Sequence, residues 1–361
     1  MRSTNHLFCF LEIFSSEGGI QSYIQDILKA YLSLSAAKNF PPQAEVLLLR
    51  DAPDCHNPFE SKNLKFSYLK TDPAWLGRFK FAAKLLTCLV QKRPQRVFCG
   101  HIKLAPLKEV WETLGLKYQI AMRQADSLWT ISRYTRDRTC CNNQLNPAKF
   151  QIAPCVVNSD IFAIGPKPLH LLEKYDLTGA KIVMTVARLR SHDSYKGVDV
   201  TIQALPEIAK SFPNVKYLVI GRGDDRPRLA KLATDLGVAE RVIFAGFVPT
   251  ADLAAHYQLA DAYVMPSQEG FGIVYLEALA CGIPVLAGDA DGSADPLQDG
   301  KLGWRVPHRD PAAVAVACVE MLQGKDKKCD RPWLREQTLA RFSFESLCQS
   351  LEGIFQPSES D

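Results

Sequence analysis

The chain has 361 residues, 47% apolar and 23% charged, and 43 Lys and Arg against 39 Asp and Glu leave a net charge of +4. This composition excludes a disordered chain, a collagen and a disulfide miniprotein, and the charge is too mild for a nucleic-acid partner. Usual domain sizes place about two domains in this length.

At the amino terminus, MRSTNHLFCFLEIFSSEGG carries Glu12 inside its apolar run. It lacks a basic leader and a small-residue cleavage site, so no signal peptide is expected. The longest apolar runs, Ala44 to Leu49 and Lys181 to Ala187, fall short of the ~20 residues that cross a bilayer. Eleven Cys without any CxxC spacing predict reduced, mostly buried thiols in a cytoplasmic protein, not a zinc or disulfide framework.

In chain order the predicted strands are HLFCFLEIF, AEVLLLR, RVFCGHI and SLWTIS, then KIVMTVARL, VKYLVIGRG, RVIFAGFV, AYVMPS and PVLAG. Most are continuous apolar runs, the pattern of strands covered on both faces. Helical patterns such as IQSYIQDILKAYLSL and VTIQALPEIAKSF lie between them. That alternation predicts an α/β fold of two Rossmann-like, doubly wound parallel sheets. IGPKPLHLL, within 162–172, carries Gly165, Pro166 and Pro168 and reads as a linker. Domains are expected over 1–164 and 165–335.

The segment Arg78 to Val90 has an apolar face with Arg78, Lys80 and Lys84. It reads as a sheet-covering helix with snorkelling lysines, and an anionic membrane surface is the alternative.

Three motifs stand at strand ends. Gly18-Gly19 follow the first strand, where glycine lets the backbone approach a phosphate or sugar. This is not GxGxxG, and Asp51 stands at the wrong spacing to hold a dinucleotide ribose. A plain tight turn is the alternative. Arg188 follows KIVMTVA, with Lys196-Gly197 eight positions on. A fork and a point charge can clamp a diphosphate, although on charge alone the loop, which also carries Arg190, reads as solvated. The third motif is Glu269-Gly270-Phe271-Gly272-Ile273, with Glu277 inside the following helix. Its glycines free amides to cradle phosphate at a helix start. Glu277 lies about one and a half turns into that helix, where a carboxylate can accept both hydroxyls of a ribose. Glu269 can accept the hydroxyls of a neighbouring sugar.

The segment EGFGIVYLEALACGIPV resembles the E-x7-E signature of family 4 retaining glycosyltransferases, also called glycosyl transferases group 1. TVARL…YKGVD, VIGRGDDRPRL, RVIFAGFVP and DAYVMPS follow in that family's order, and EGGIQSYI, RVFCGHI, ADSLWTISRYTRD and PCVVNSDIF resemble its first half. The resemblance implies a GT-B fold, with a nucleotide-sugar donor domain after the linker and an acceptor domain before it. It also implies a helix within 336–361 that crosses back to the first domain. By position, Arg188 and Lys196 would hold the diphosphate with the amides from Gly270 through Phe271 and Gly272 to Ile273. Glu277 would hold the ribose, Glu269 the donor sugar, and Phe247 would lie against the base. Gly18 and Gly19 would approach the phosphate from the other domain. His101, which ends RVFCGHI after Gly100, would stand near the sugar; without the resemblance a lone His reads as structural.

The implied function is transfer of a sugar, with retention, from a UDP- or GDP-sugar to a glycan, lipid-linked or small-molecule acceptor in cell-surface polysaccharide or glycolipid synthesis. No cofactor and no essential metal are expected, because no Asp-x-Asp motif stands where another transferase class needs one. Asp224-Asp225 read as solvated. The expected location is the cytoplasm, with peripheral contact to the inner face of a membrane.

Some positions depart from the family pattern. GDADGSADPLQDG replaces a Gly-Gly…Glu loop, with Asp291 and Ser293 as substitutes, and Asn158-Ser159-Asp160 lacks the usual glycine. Between His101 and Asp126 a strand unit is missing, on the order of 20 residues. The alternative function is therefore a catalytically impaired relative that binds nucleotide sugar as a partner subunit. A nucleotide-sugar epimerase of the same fold is disfavoured by the Glu269/Glu277 pair with Arg188/Lys196.

Overall fold

The continuous apolar runs become parallel strands. A computed structural model describes residues 5–15, 18–36, 43–100, 122–123 and 125–355. By internal packing the chain divides into two units. One holds Met1–Trp129, Thr139–Ala153 and Leu347–Asp361, and the other Thr130–Arg138 and Pro154–Ser346.

In the first unit, β1 (Asn5–Phe10), β2 (Gln43–Leu48), β3 (Leu64–Tyr68) and β4 (Arg96–Cys99) form a sheet of order β3-β2-β1-β4. All three pairings are parallel, with Leu7 opposite both Glu45 and Val97. The helix Gly19–Ala36 covers one face through Ile24, Ile27, Leu28 and Tyr31, a three-to-four spacing that lines one helical side. The helix Ala74–Thr87 covers the other, packing Phe81 and Leu85 against Leu7, Cys9 and Leu47. Burying such side chains stabilises the unit by about 1.5–3 kcal/mol each. A short sheet pairs β5 (Leu128–Thr130) with β6 (Phe150–Ile152).

In the second unit, β7 (Lys181–Val186), β8 (Val215–Ile220), β9 (Val242–Gly246), β10 (Ala262–Met265), β11 (Val285–Gly288) and β12 (Trp304–Val306) form a parallel sheet of order β12-β11-β10-β7-β8-β9. This is the doubly wound order, and its direction reverses between β7 and β10. Ligands of such sheets bind outside the carboxyl ends of the strands at that reversal.

The division differs from the expected boundaries for identifiable reasons. The 162–172 stretch is not a free linker. Phe162 is buried, Lys167 pairs with Asp261 at 2.7 Å, and the carbonyls of Ala163 and Gly165 accept from Gln258 and Arg331. The unit change falls at Ala153/Pro154 instead of 164/165. At the other end the return falls at Ser346/Leu347 instead of 335/336. The helix Arg331–Phe342 stays with the second unit, where Arg335 donates to the carbonyls of Ser159, Phe162 and Ala280. The helix Phe344–Phe355 ends in the first unit, with the Phe355 ring against Phe8, Tyr31, Phe98 and Trp129.

All eleven cysteines are free thiols, but only Cys9, Cys88, Cys155, Cys281 and Cys318 are buried. The expected majority of buried thiols is not found. His101 and nearly all of the short stretch to Asp126 lie outside the described residues.

Candidate functional site

Two loops meet where the second sheet reverses. The first leaves β7 at Val186. Leu189 is buried and holds the loop down, while Arg188 stays 62% exposed in its side chain. Asp193 turns inward and is buried, with its carboxylate 3.4 Å from the Arg188 Nε. Gly197 ends the loop at φ +74°, with its Cα face tight against Pro266: an added Cβ would lie 2.5 Å from the Pro266 carbonyl. Only glycine meets both demands.

The second loop leaves β10 at Met265. Its Gln268 amide donates to the Tyr195 carbonyl at 3.1 Å, which ties the two loops together. The Lys196 ammonium contacts the Glu269 carboxylate, and both side chains are largely enclosed, at 15% and 17% exposure. The two residues predicted for diphosphate and sugar therefore pair with each other.

Glu269 and Gly270 are held by groups outside the signature. The Glu269 amide donates to Asp291 at 2.5 Å, and its carbonyl accepts from Gly292 at 2.8 Å. The Gly270 carbonyl accepts from the Ser132 hydroxyl at 2.5 Å and from Thr135 at 3.2 Å. Arg133 fixes that segment by donating its backbone amide to Asp295 at 2.6 Å and a guanidinium N–H to Asp299 at 2.8 Å. Asp291 is thus not a free sugar-binding group. Its second oxygen takes the Ser293 amide at 2.8 Å, and the Ser293 hydroxyl also caps Gly288 at 2.8 Å.

Gly272, at φ +90°, opens the helix Ile273–Ala280. With the carbonyls on either side committed, the amides of Phe271, Gly272 and Ile273 find no acceptor among the described residues. Unpaired amides at a helix start are the arrangement that can accept an anion. The Phe271 side chain belongs to the core, packed on Phe342, so only its amide faces a ligand. Glu277 follows in the helix. Its carboxylate accepts from the Tyr257 hydroxyl at 2.7 Å. Burial pushes its pKa up to about 7, and the tyrosine hydrogen bond opposes that rise.

Phe247 is 54% exposed beyond β9. The Arg222 guanidinium lies over one face of its ring, 4.9 Å from the centroid. Two other nearby cations are neutralised. Arg309 binds Asp199 through two bonds of 2.9 Å, and Arg228 binds Asp225 at 2.6 and 2.7 Å. Asp225 is therefore a buried ion-pair partner, not the solvated residue expected.

Gly18 and Gly19 belong to the first unit, exposed at the amino end of the helix Gly19–Ala36. Asp51, fully buried, explains the loop before them. Its carboxylate takes the amides of Ile13 at 2.6 Å and Ser15 at 2.8 Å. Among the predicted residues, Arg188, Lys196, Glu269, Gly270, Phe271, Gly272, Ile273 and Glu277 gather at the two loops, with Phe247 at the end of β9. His101 lies outside the described residues.

Sequence reasoning missed Ser132, Thr135, Asp193 and Arg222. The Asp291-Gly292-Ser293 turn carried a local signal, since Asp caps the amide two residues on. Ser132 carried none, because its partner is 138 residues away.

Residues 180–324 match the family model described as Glycosyl transferases group 1. The GDP-mannose-dependent alpha-(1-6)-phosphatidylinositol monomannoside mannosyltransferase of Mycolicibacterium smegmatis is 37% identical over 208 residues, 55% of this chain and 53% of that protein. The protein of the same name from Mycobacterium tuberculosis is 33% identical over 245 residues, 63% and 62% of the two. The chain thus spans between a half and two thirds of the length of these curated relatives. Among solved structures, Anabaena HepE in complex with UDP superposes with a TM-score of 0.74 at 18% identity, over 97% of this chain and 99% of that one. WaaG, a glycosyltransferase involved in lipopolysaccharide biosynthesis, gives 0.67 at 20% identity, over 98% and 100%.

Proposed function

We propose, for a chain whose residues 180–324 match the glycosyl transferases group 1 model and whose fold is GT-B, that it transfers a hexose from a nucleoside-diphosphate sugar. The transfer retains anomeric configuration, and the acceptor is a lipid-linked glycan or glycolipid headgroup. The observation that carries this reading is the convergence of Arg188, Lys196, Glu269 and the Phe271–Ile273 amides at the reversal of the sheet.

In this reading the bond from the sugar C1 to the diphosphate breaks, and a bond from C1 to the acceptor hydroxyl forms on the same face. The acceptor proton passes to the departing phosphate. Negative charge grows on the diphosphate as it leaves. With donor bound, Arg188, Lys196 and the helix start face that charge before it develops. The two cations and the amides carry the charge, so no divalent ion enters the proposal. Glu277 accepts the ribose hydroxyls, and the open face of Phe247 supports the base. His101 keeps only the role that the resemblance implies.

GDP-mannose is the first donor to test, because the two mycobacterial relatives are named as GDP-mannose-dependent. Turnover of a panel of GDP- and UDP-sugars with a phosphatidylinositol-type acceptor, followed by release of nucleoside diphosphate, should single out one donor. Binding of a donor without turnover of any would favour the impaired-partner reading instead.

Membrane contact is the finer part of the proposal. Among the described residues no helix is long and apolar enough to cross a membrane, and the contact proposed is a surface one. The helix Ala74–Thr87 turns Phe81 and Leu85 to the sheet, as expected of a covering helix. Its outer side, continued by the turn Cys88–Lys92, exposes Trp75, Phe79, Leu86 and Val90. Spacings of four, seven and four place these on one stripe. Lys80 and Arg93 lie exposed alongside, the arrangement that lies on anionic lipid. The Lys84 ammonium instead reaches inward to Glu45 at 3.1 Å. Trp75→Ala with Phe79→Ala is expected to weaken sedimentation with phosphatidylglycerol-containing vesicles by about 100-fold, from burial of two aromatic rings. Donor turnover in solution should not change. Undiminished sedimentation of the double variant would remove this face from consideration.

A further inference from the structure

The contact between Lys196 and Glu269 has a consequence for the order of events. Both side chains are more than four-fifths enclosed. Both backbones are pinned: Glu269 by Asp291 and Gly292, Lys196 by the Tyr195–Gln268 bond and by the packing of Gly197 on Pro266. The two charges therefore stay neighbours, and any phosphate that takes Lys196 competes with Glu269 for it.

We infer that Glu269 acts as the group that expels the nucleoside diphosphate once the sugar has been transferred. The inference rests on the donor site proposed above. While a sugar is attached, its hydroxyls donate to Glu269 and Lys196 is free to turn to the diphosphate, so both charges are satisfied. Transfer removes the sugar and with it the donors to Glu269. A largely enclosed carboxylate left without partners is costly. Drawing Lys196 back removes that cost and takes one cation from the diphosphate. The same pair thus favours the intact donor and disfavours the product. Arg188 lies beside a different carboxylate, Asp193, at 3.4 Å, so the exchange is assigned to Lys196 alone.

The test is calorimetric titration of the full chain with GDP and with UDP, beside displacement of a fluorescent analogue of each to read the dissociation rate. Glu269→Gln keeps the shape and removes the charge. It is expected to bind the preferred nucleoside diphosphate about 10-fold more tightly than wild type, the scale of one hydrogen bond to a charged group, and to release it correspondingly more slowly. Glu269→Asp, which keeps the charge on a shorter arm, should fall between. In a Lys196→Ala background, Glu269→Gln should change nothing. Equal or weaker binding by Glu269→Gln, or an equal gain in the Lys196→Ala background, overturns the inference while leaving the donor site standing. Failure of GDP and UDP alike to bind the wild-type chain at millimolar concentration overturns the donor site itself. A loss of binding by a correctly folded Glu269→Asp also counts against expulsion.

Discussion

Replacing Arg188 and Lys196 together with alanine is expected to lower kcat/KM for sugar transfer by about 10^4-fold. Removing one preorganised donor from a developing oxyanion costs ~10²–10³ in rate, and residues that act as a unit lose less than the product of their separate effects. Arg188 is chosen because its charge is accessible: Arg228 and Arg309 lie nearby but are committed to Asp225 and Asp199. The fold should survive. Arg188 is largely exposed, and Lys196 ends the short helical turn Ser191–Lys196, outside the sheet. A modest fall in melting temperature is expected, since Glu269 loses its counter-ion. Circular dichroism and the melting temperature check the fold, and a coupled assay of nucleoside diphosphate release checks the rate. Near-wild-type turnover in a folded double variant would remove the clamp from the mechanism.

A second large effect is expected from one methyl group. In Gly292→Ala the new Cβ would lie 2.0 Å from the Gly270 carbonyl oxygen and 3.0 Å from the Phe271 amide nitrogen. Neither neighbour is a side chain that can swing aside. The Gly270 carbonyl is already held by Ser132 and Thr135, so the whole turn must shift by about 1 Å or more. Its amides are the ones that the proposed mechanism assigns to the phosphate, and misplacement on that scale costs about 10²-fold in catalysis. Donor affinity and turnover should fall together, while the parallel sheet behind the loop remains intact. Ser132→Ala removes the same restraint from the opposite side without a clash and should produce a smaller loss in the same direction. A Gly292→Ala protein that binds and turns over donor normally would show that the turn does not position the phosphate.

The parts of this molecule that were legible in its sequence are those with local causes. β7 and β8 read directly, because strands covered on both faces need unbroken apolar runs. β3 did not, since LKFSY mixes exposed and half-buried positions behind a polar stretch. β12 is three residues long and leaves too little pattern to register. The helix start at Gly272 was readable from the glycines around Phe271, because Gly272 is required there by its φ of +90°. The 162–172 stretch misled for the opposite reason. Gly165, Pro166 and Pro168 do interrupt regular structure, but burial of Phe162 and capture of its neighbours' carbonyls by Gln258, Arg331 and Arg335 are decided far along the chain. Asp225 shows the same limit. A charged loop in the sequence does not reveal which carboxylate will find Arg228 and turn inward.

The placement of Thr130–Arg138 with the second unit bears on how such proteins can be recombined. A chimera that exchanges the carboxyl-terminal part of this chain for a relative's by cutting at Pro154 would leave Ser132 and Arg133 behind. It would then pair a foreign Gly270 carbonyl, Asp295 and Asp299 with a segment that evolved against another partner. In the proposed function, the module for donor use is therefore discontinuous. Nine residues from the amino-terminal half must travel with it, and grafts that ignore them should show weakened phosphate binding even when every residue of the E-x7-E signature is preserved.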